Sequence, residues 1–410
     1  MKRKTIWVIN QFAGKSDSGW GERHIFLSKY WVKKGYKIFI ISGSYNHLFI
    51  NQPIVKNKMF TIEEVDDNIS FCWVKIRKYK GDSIMKFINM LIFTLKVFFI
   101  SGKIIEKPDI IIVSSMPMFT ILPAYLKSKK YKSKLIFEVR DLWPETPIYL
   151  KNLSKNNPFI ILLKFVERYA YLKSNFIVSL LPNSYHYINK ISKNPNKFKY
   201  IPNGIDNDLL GNKKLNKNTY KLIPENKFII GYTGTLGLAN AMEFFIDAAF
   251  LLKDNPNIHF VLVGDGYKKQ EFINKTKFLE NITFIDKIAK SQIQEVLSYF
   301  SVCYVGRYNS PLYRHGVSYN KYFDYMLAKK VILESSEKIK DPVELSGCGI
   351  IVPPENAEAI KEGILTLYNK PKEELEKMGQ KGYEYVKKYH NFDYLSDKYI
   401  ELFKIENENN

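Results

Sequence analysis

The chain has 410 residues, 46% of them hydrophobic and 25% charged, which excludes a disordered chain and exceeds one ordinary core, so two domains of roughly 200 residues are expected. Its formal charge is +21, and the excess is lopsided: residues 1 to 200 hold 34 Lys and Arg against 13 Asp and Glu, and the rest hold 28 against 28. Three widely spaced cysteines without a CxxC pair argue against a zinc site or a disulfide framework and fit a reducing cytoplasm.

The start, MKRKTIWVIN, has a short apolar run and no small-residue cleavage site, so it reads as a first strand and not as a signal peptide. Further apolar strands are predicted at 36 to 42, 109 to 115, 134 to 139 and 175 to 180, separated by segments of helical period. This alternation predicts a parallel, doubly wound α/β sheet. Within it, SIMKFINMLIFTLKVFFISGK (83 to 103) is interrupted by Lys86, Asn89 and Lys96, which argues against a spanning helix. On a helix those residues and Lys103 share one narrow sector with Phe93 and Ile100. Either a helix packed on the sheet or a membrane-surface helix fits that pattern.

The polar, Asn/Lys-rich stretch before residue 228 reads as a linker. The domains expected are 1 to 204, a linker of 205 to 227, 228 to 390, and a closing helix in 391 to 410 that packs back toward the first domain. Asp206-Asn-Asp208 in the linker matches a DxD metal motif, but its place beside a hinge makes it a chance match, and no metal is expected. The alternation then restarts, with strands at 228 to 234, 257 to 266, 281 to 285, 301 to 306, 331 to 333 and 349 to 352.

Three strand ends of this second domain are candidate anion sites. GYTGTLGLAN (231 to 240) and VGDG (263 to 266, with Gly264, Asp265 and Gly266) carry glycines that let backbone amides approach a phosphate before a helix start. The third is HGVSYNKYFDYMLAKKVIL (315 to 333), where Ser318 would cap a helix running to about Lys329. Lys321 then lies in the first turn, where the helix dipole is positive and a cation is misplaced. A docked diphosphate would make it a counter-charge, and Asp324, on the same face, would accept hydrogen bonds from sugar hydroxyls.

The order of FEVRDLWPET, YIPNGID, GYTGTLG, LVGDG and SPLYRHGVSYNKYFDYMLAKK resembles glycosyltransferase family 4, in the branch that assembles bacterial cell-surface polysaccharides such as O-antigen and capsule. The resemblance implies a GT-B fold, two Rossmann-like domains facing across a cleft, with a nucleotide-sugar donor held by the second and the acceptor by the first. It places Asp324 at the family's ribose-binding glutamate, and Gly316 where a glutamate usually meets the donor sugar. Gly234, Thr235 and Asn240 fall in the pyrophosphate loop, with Thr235 and Asn240 where the family carries arginine and lysine. Arg307, Arg314 and Lys321 are the cations left to substitute, beside Ser318 and Asn320. In the first domain Arg140 and Asp141 fall where the family often has a His-Asp pair beside the reacting sugar. The loop GKSDSGWGERH (14 to 24) resembles the acceptor-side glycine loop, with Gly19, Gly21, Glu22 and Arg23, and it lacks the GxGxxG order.

The same resemblance implies a retaining, metal-independent hexosyltransferase moving an N-acetylated hexosamine from a UDP-sugar to a lipid-diphosphate-linked acceptor, without a side-chain nucleophile. A nucleotide-sugar epimerase of the same architecture is the rival, and a nucleic-acid-binding protein a weaker one, since neither a helix-turn-helix nor an RNP motif is present. The basic first half, with KIRKYK (75 to 80) and KSKKYKSK (127 to 134), predicts peripheral docking on the anionic inner face of the cytoplasmic membrane.

Overall fold

A computed structural model describes residues 3–81, 83–206, 214–237 and 240–405. The chain divides into two compact units, Met1–Asn203 with Phe392–Asn410, and Gly204–Asn391.

Unit 1 begins with β1 (Thr5–Ile9), α1 (Arg23–Lys33), β2 (Lys37–Gly43), β3 (Phe60–Asp66), β4 (Ile69–Val74) and α2 (Ile84–Val97). It continues with β5 (Ile110–Ser114), α3 (Ile121–Tyr131), β6 (Lys134–Val139), α4 (Glu145–Leu150), α5 (Pro158–Lys173), β7 (Phe176–Ser179), α6 (Tyr185–Ser192) and β8 (Phe198–Tyr200). Its eight strands form one sheet in the order β3-β4-β2-β1-β5-β6-β7-β8. Every pairing is parallel except β3 with β4. The central strands are buried along their whole length because helices cover both faces, which is why they read as largely apolar runs. The hairpin β3–β4 escapes the sequence pattern because β3 is an edge strand carrying Glu63, Glu64 and Asp66, and Asn68 makes its turn at φ 63°.

Unit 2 comprises α7 (Lys217–Tyr220), β9 (Phe228–Thr233), α8 (Met242–Leu251), β10 (Ile258–Val263), α9 (Lys269–Thr276), β11 (Ile282–Ile285), α10 (Ile293–Ser298) and β12 (Val302–Gly306). After these come α11 (Asn320–Leu327), β13 (Val331–Ser335), α12 (Pro342–Ser346), β14 (Gly349–Val352), α13 (Ala357–Tyr368) and α14 (Lys372–Tyr389). Six parallel strands run β11-β10-β9-β12-β13-β14, so the order reverses beside β9 and β12, where open α/β sheets take ligands. The last helix, α15 (Phe392–Lys404), belongs to unit 1, where Trp31 of α1 meets Tyr399 and Phe403 edge-on.

Two buried lysines of the 127 to 134 run have structural roles in unit 1. Lys127 donates to the carbonyls of Phe98 (3.0 Å) and Ile100 beyond the end of α2, and Lys134 to those of Leu402 (2.8 Å), Phe403 (2.9 Å) and Ile405 at the end of α15. Each satisfies carbonyls that a helix terminus leaves unpaired. Burial pushes both ammoniums down to about 8.

The sector of α2 that holds Asn89 faces the sheet, with Lys86 and Lys96 half-buried. Asn89 is buried, accepting from the Arg77 amide (3.0 Å) and donating to its carbonyl (2.8 Å), and Phe93 and Ile100 are buried beside it. Phe93 and Ile100 decide the orientation, since burying them outweighs burying the one amide, which the Arg77 backbone satisfies.

The charged centre of unit 1 is Glu138 on β6, which is completely buried. Arg23 Nε donates to its Oε2 (3.0 Å), Ser114 donates to Oε1 (2.7 Å), His24 Nε2 lies 3.0 Å from Oε1, and the Tyr399 hydroxyl donates to Oε2. Four side chains from three elements therefore converge on one carboxylate, and Arg23 and His24 help hold it well below the usual carboxylate range against the opposing cost of burial. Glu138→Ala would leave Arg23 buried without its counter-charge, so a loss of about 3 to 5 kcal/mol of unfolding free energy is expected in denaturant titrations. Tyr399→Phe should cost about 1 kcal/mol. An unchanged midpoint for Glu138→Ala would remove Glu138 from its central place.

Candidate functional site

In unit 2 the two glycine loops are locked into one structure. The Gly234 amide donates to the Val263 carbonyl (3.0 Å), that of Leu236 to Asp265 (2.9 Å) and that of Lys268 to Leu236 (3.2 Å). Gly264 has φ 155°, and a Cβ there would stand 1.9 Å from the Gly234 carbonyl oxygen; one at Gly266 (φ 159°) would stand 2.2 Å from that of Leu236. Both positions exclude any side chain, so these glycines are needed for the loops to approach each other. Thr235 and Asp265 are exposed on this double loop. Asn240 closes the first loop by donating to the Thr235 carbonyl (3.0 Å).

Helix α11 brings its polar face to the same place. On its inner side Tyr322 donates to Glu334 (2.7 Å) and the Tyr325 hydroxyl accepts from the Thr233 amide (2.9 Å), and both rings are fully buried. Positions 321 and 324, three apart, therefore share the opposite face. The Lys321 ammonium donates to Asn240 Oδ1 (2.6 Å) and to the Tyr232 hydroxyl (3.1 Å). It also lies 4.5 Å from the centre of the Tyr232 ring and 5.5 Å from that of Tyr319. A Cβ on Gly234 would stand 3.6 Å from it. Among the described residues it has no carboxylate partner, and desolvation pushes it down to about 7.

The helix start differs from the sequence expectation. Tyr319, not Ser318, is the N-cap; its backbone is extended and its ring stacks on Tyr322, so the helix begins at Asn320. Its end comes at Leu327, because Lys329 turns left-handed (φ 55°) and the amides of Lys329 and Lys330 bond back to Met326 and Tyr325. Lys321 nevertheless remains in the first turn.

Asp324 is bracketed by Lys290, whose ammonium sits 2.5 Å from both carboxylate oxygens. A carboxylate offers about four lone-pair directions, so capacity for a further donor remains. Lys290 was not legible as a partner, since it lies 34 residues away after β11. Beside it, a depression of about 560 Å³ is lined by Ile285, Asp286, Ile288 and Ala289 from the loop after β11 and by Thr219 and Leu222 from the stretch read as linker.

Of the other expected cations, Arg307 is committed elsewhere: it is 1% exposed, with Nη2 2.5 Å from Glu334 and 3.1 Å from Asp341. Burial of two carboxylates around one guanidinium leaves it no reach toward a phosphate. Arg314 is exposed in the turn Pro311–His315, with Nε directed at His315 (3.3 Å). Gly316 follows it at φ 88°.

In unit 1, Gly21 (φ 76°) lies so close to the Phe12 carbonyl that a Cβ would stand 2.1 Å away, and Gly19 (φ 70°) closes the same turn. Glu22 is the N-cap of α1. Arg23 does not face an acceptor. Besides Glu138 it donates to the carbonyls of Ile201 (2.9 Å) and Pro202, so its donors are consumed in the core. Arg140 and Asp141 directly follow β6; the Arg140 amide donates to Ser115 (3.1 Å) and Asp141 is exposed. Asp206 is buried and Asp208 lies outside the described residues. No cluster of three His, Cys, Asp or Glu suited to a metal occurs among the described residues.

This arrangement of sheets is the GT-B fold. Residues 227–370 match the family described as glycosyl transferases group 1. Sucrose-phosphate synthase from Thermosynechococcus elongatus superposes with a TM-score of 0.75 at 15% identity, covering 98% of each chain. HepE of Anabaena in complex with UDP and glucose gives 0.66 at 12%, covering 98% of this chain and 99% of that one. An alpha,alpha-trehalose-phosphate synthase (UDP-forming) from Burkholderia vietnamiensis gives 0.70 at 11%, with 98% and 99% covered. No curated protein matches the sequence.

An ammonium desolvated without a counter-charge costs stability until an anion arrives. Lys321→Met is expected to raise the melting temperature. A lysine lowered on folding carries its full penalty below about pH 7 and loses it as pH rises toward the unfolded value of 10.5, so the gain should be largest at low pH and shrink through that window. A variant less stable than the parent at every pH would contradict the assignment of Lys321 as an uncompensated cation.

Proposed function

We propose that this chain is a retaining, metal-independent glycosyltransferase that moves a sugar from a UDP-sugar to a lipid-diphosphate-linked acceptor in bacterial surface polysaccharide synthesis, as a peripheral enzyme of the cytoplasmic membrane face. The observation that carries the donor half of this reading is the lone Lys321 ammonium at the start of α11, beside Gly234. Such a site lacks one component, an anion, and a diphosphate supplies it while also meeting the amides of the helix start. The ribose then falls to Asp324, and the base to the depression beside Lys290, whose volume suits a small ligand. Complexes of HepE with UDP and with UDP-glucose support the choice of nucleotide.

In the reaction the bond from the anomeric carbon to the β-phosphate oxygen breaks, a bond to the acceptor hydroxyl forms, and the hydroxyl proton passes to the leaving phosphate. Lys321 stabilises the charge that grows on that phosphate, an effect worth most where water is excluded. Asp141 accepts a hydrogen bond from a sugar hydroxyl, and Arg140 either orients Asp141 or stabilises developing phosphate charge. The retaining course, the N-acetylated hexosamine and the lipid carrier rest on the family resemblance of the sequence.

Two measurements test the division of roles. Lys321→Ala should weaken UDP by about tenfold to over a hundredfold, the worth of a charged hydrogen bond, while leaving uridine almost unaffected. Equal affinity of parent and variant for UDP would refute the diphosphate assignment. Asp141→Asn should lower turnover with unchanged UDP affinity; a variant of full activity would remove Asp141 from the reaction.

A further inference from the structure

The outer face of α2, α3 and α5 is unusual for a helix layer over a sheet. The three helices share one core with the sheet, and Phe87 meets Phe159 edge-on at 5.3 Å. With Asn89, Met90, Phe93 and Val97 turned inward on α2, the outward side shows Ile84 (79% exposed), Leu95 (60%) and, just past the helix, Phe99 (65%). Leu126 of α3 (57%) and Ile161 (55%) and Phe165 (64%) of α5 continue it. A soluble helix face ordinarily carries its polar residues outward, and an apolar patch of this extent marks an interaction surface.

The charge on the same helices says what the surface fits. Lys129, Lys130, Lys164, Arg168 and Lys173 are exposed, and Lys86 and Lys96 are half-buried at the margin. The one acidic residue of the three helices, Glu167, is 2% exposed and is bonded by Tyr171 (3.0 Å) and Tyr187 (2.9 Å), so it offers no surface charge. A second copy of the same face would set these cations against each other. An anionic bilayer instead accepts the apolar side chains below its headgroups and meets the lysines with lipid phosphate. Among the described residues no helix is long and apolar enough to cross a membrane.

We infer that unit 1 seats in the interface of an anionic lipid bilayer through the exposed apolar face of α2, α3 and α5, ringed by lysines. This deepens the reading of the acceptor as lipid-linked and rests on it, but it differs from docking by charge alone. Lys127 and Lys134 of the 127 to 134 run are buried as helix caps and cannot contribute; hydrophobic insertion does, and it survives salt.

The test is co-sedimentation of the full chain with vesicles of phosphatidylcholine alone and of phosphatidylcholine mixed with phosphatidylglycerol, with UDP affinity and melting temperature measured on the same preparations. The parent should prefer the anionic vesicles and keep a salt-resistant fraction bound. The pair Leu95→Glu and Phe165→Glu should weaken that binding about tenfold or more, at unchanged melting temperature and UDP affinity. Ile54→Glu, a control at a side chain 93% exposed outside these helices, should bind like the parent. Equal binding by the double variant, equal or absent binding of the parent to both vesicles, or a parent dimer that the double variant converts to monomer would overturn the inference. UDP affinity reports separately on the donor reading, so failure of one is distinguishable from failure of the other.

Discussion

One electrostatic imbalance organises unit 2: an ammonium held at the positive end of a helix with no carboxylate beside it among the described residues. Two forces oppose its charge there, loss of water and the helix dipole, and together they make an anion the missing partner. The surrounding architecture serves to hold this arrangement. Tyr322 and Tyr325 fix the helix on the sheet from inside, and the interlocked glycines bring the loop of Gly234 to the ammonium. Stability is given up at one position, and the return we propose is a seat for a diphosphate.

Unit 1 is built on the opposite principle. Its central charge, Glu138, is fully compensated by Arg23, Ser114, His24 and Tyr399, which join β6 to α1, β5 and α15. Arg23 further grips the backbone at Ile201 and Pro202, so the end of the first chain segment of this unit is tied to its core. Arg140 and Asp141, just past β6, therefore emerge from a rigid base, a favourable footing for the roles we propose for them.

Much of this was legible because buried parallel strands advertise themselves as apolar runs, and because glycine-bearing turns at their ends have few uses. Lys321 was legible for a further reason: a cation in the first turn breaks a rule, and broken local rules cluster at functional sites. The partners of that cation were not, since Tyr232 and Asn240 lie 89 and 81 residues away and only the fold brings them together. The same holds for Lys290 with Asp324. Arg23 and Arg307 show the opposite failure, because in one dimension a buried, paired arginine looks like a free one. The orientation of Asn89 stayed open in the sequence, as a helical sector holding both Asn and Phe gives no sign of which will face the core.

The most direct measurement of the central claim is the proton balance of UDP binding, obtained by titration calorimetry in two buffers of different ionisation enthalpy at about pH 8. With Lys321 at about 7 in the free protein, its side chain is mostly the neutral amine there, and a diphosphate beside it draws a proton back to restore the ammonium. The account therefore predicts uptake approaching one proton per UDP bound, absent for uridine and absent in Lys321→Met. A binding enthalpy independent of buffer in the parent, or the same uptake in Lys321→Met, would contradict it.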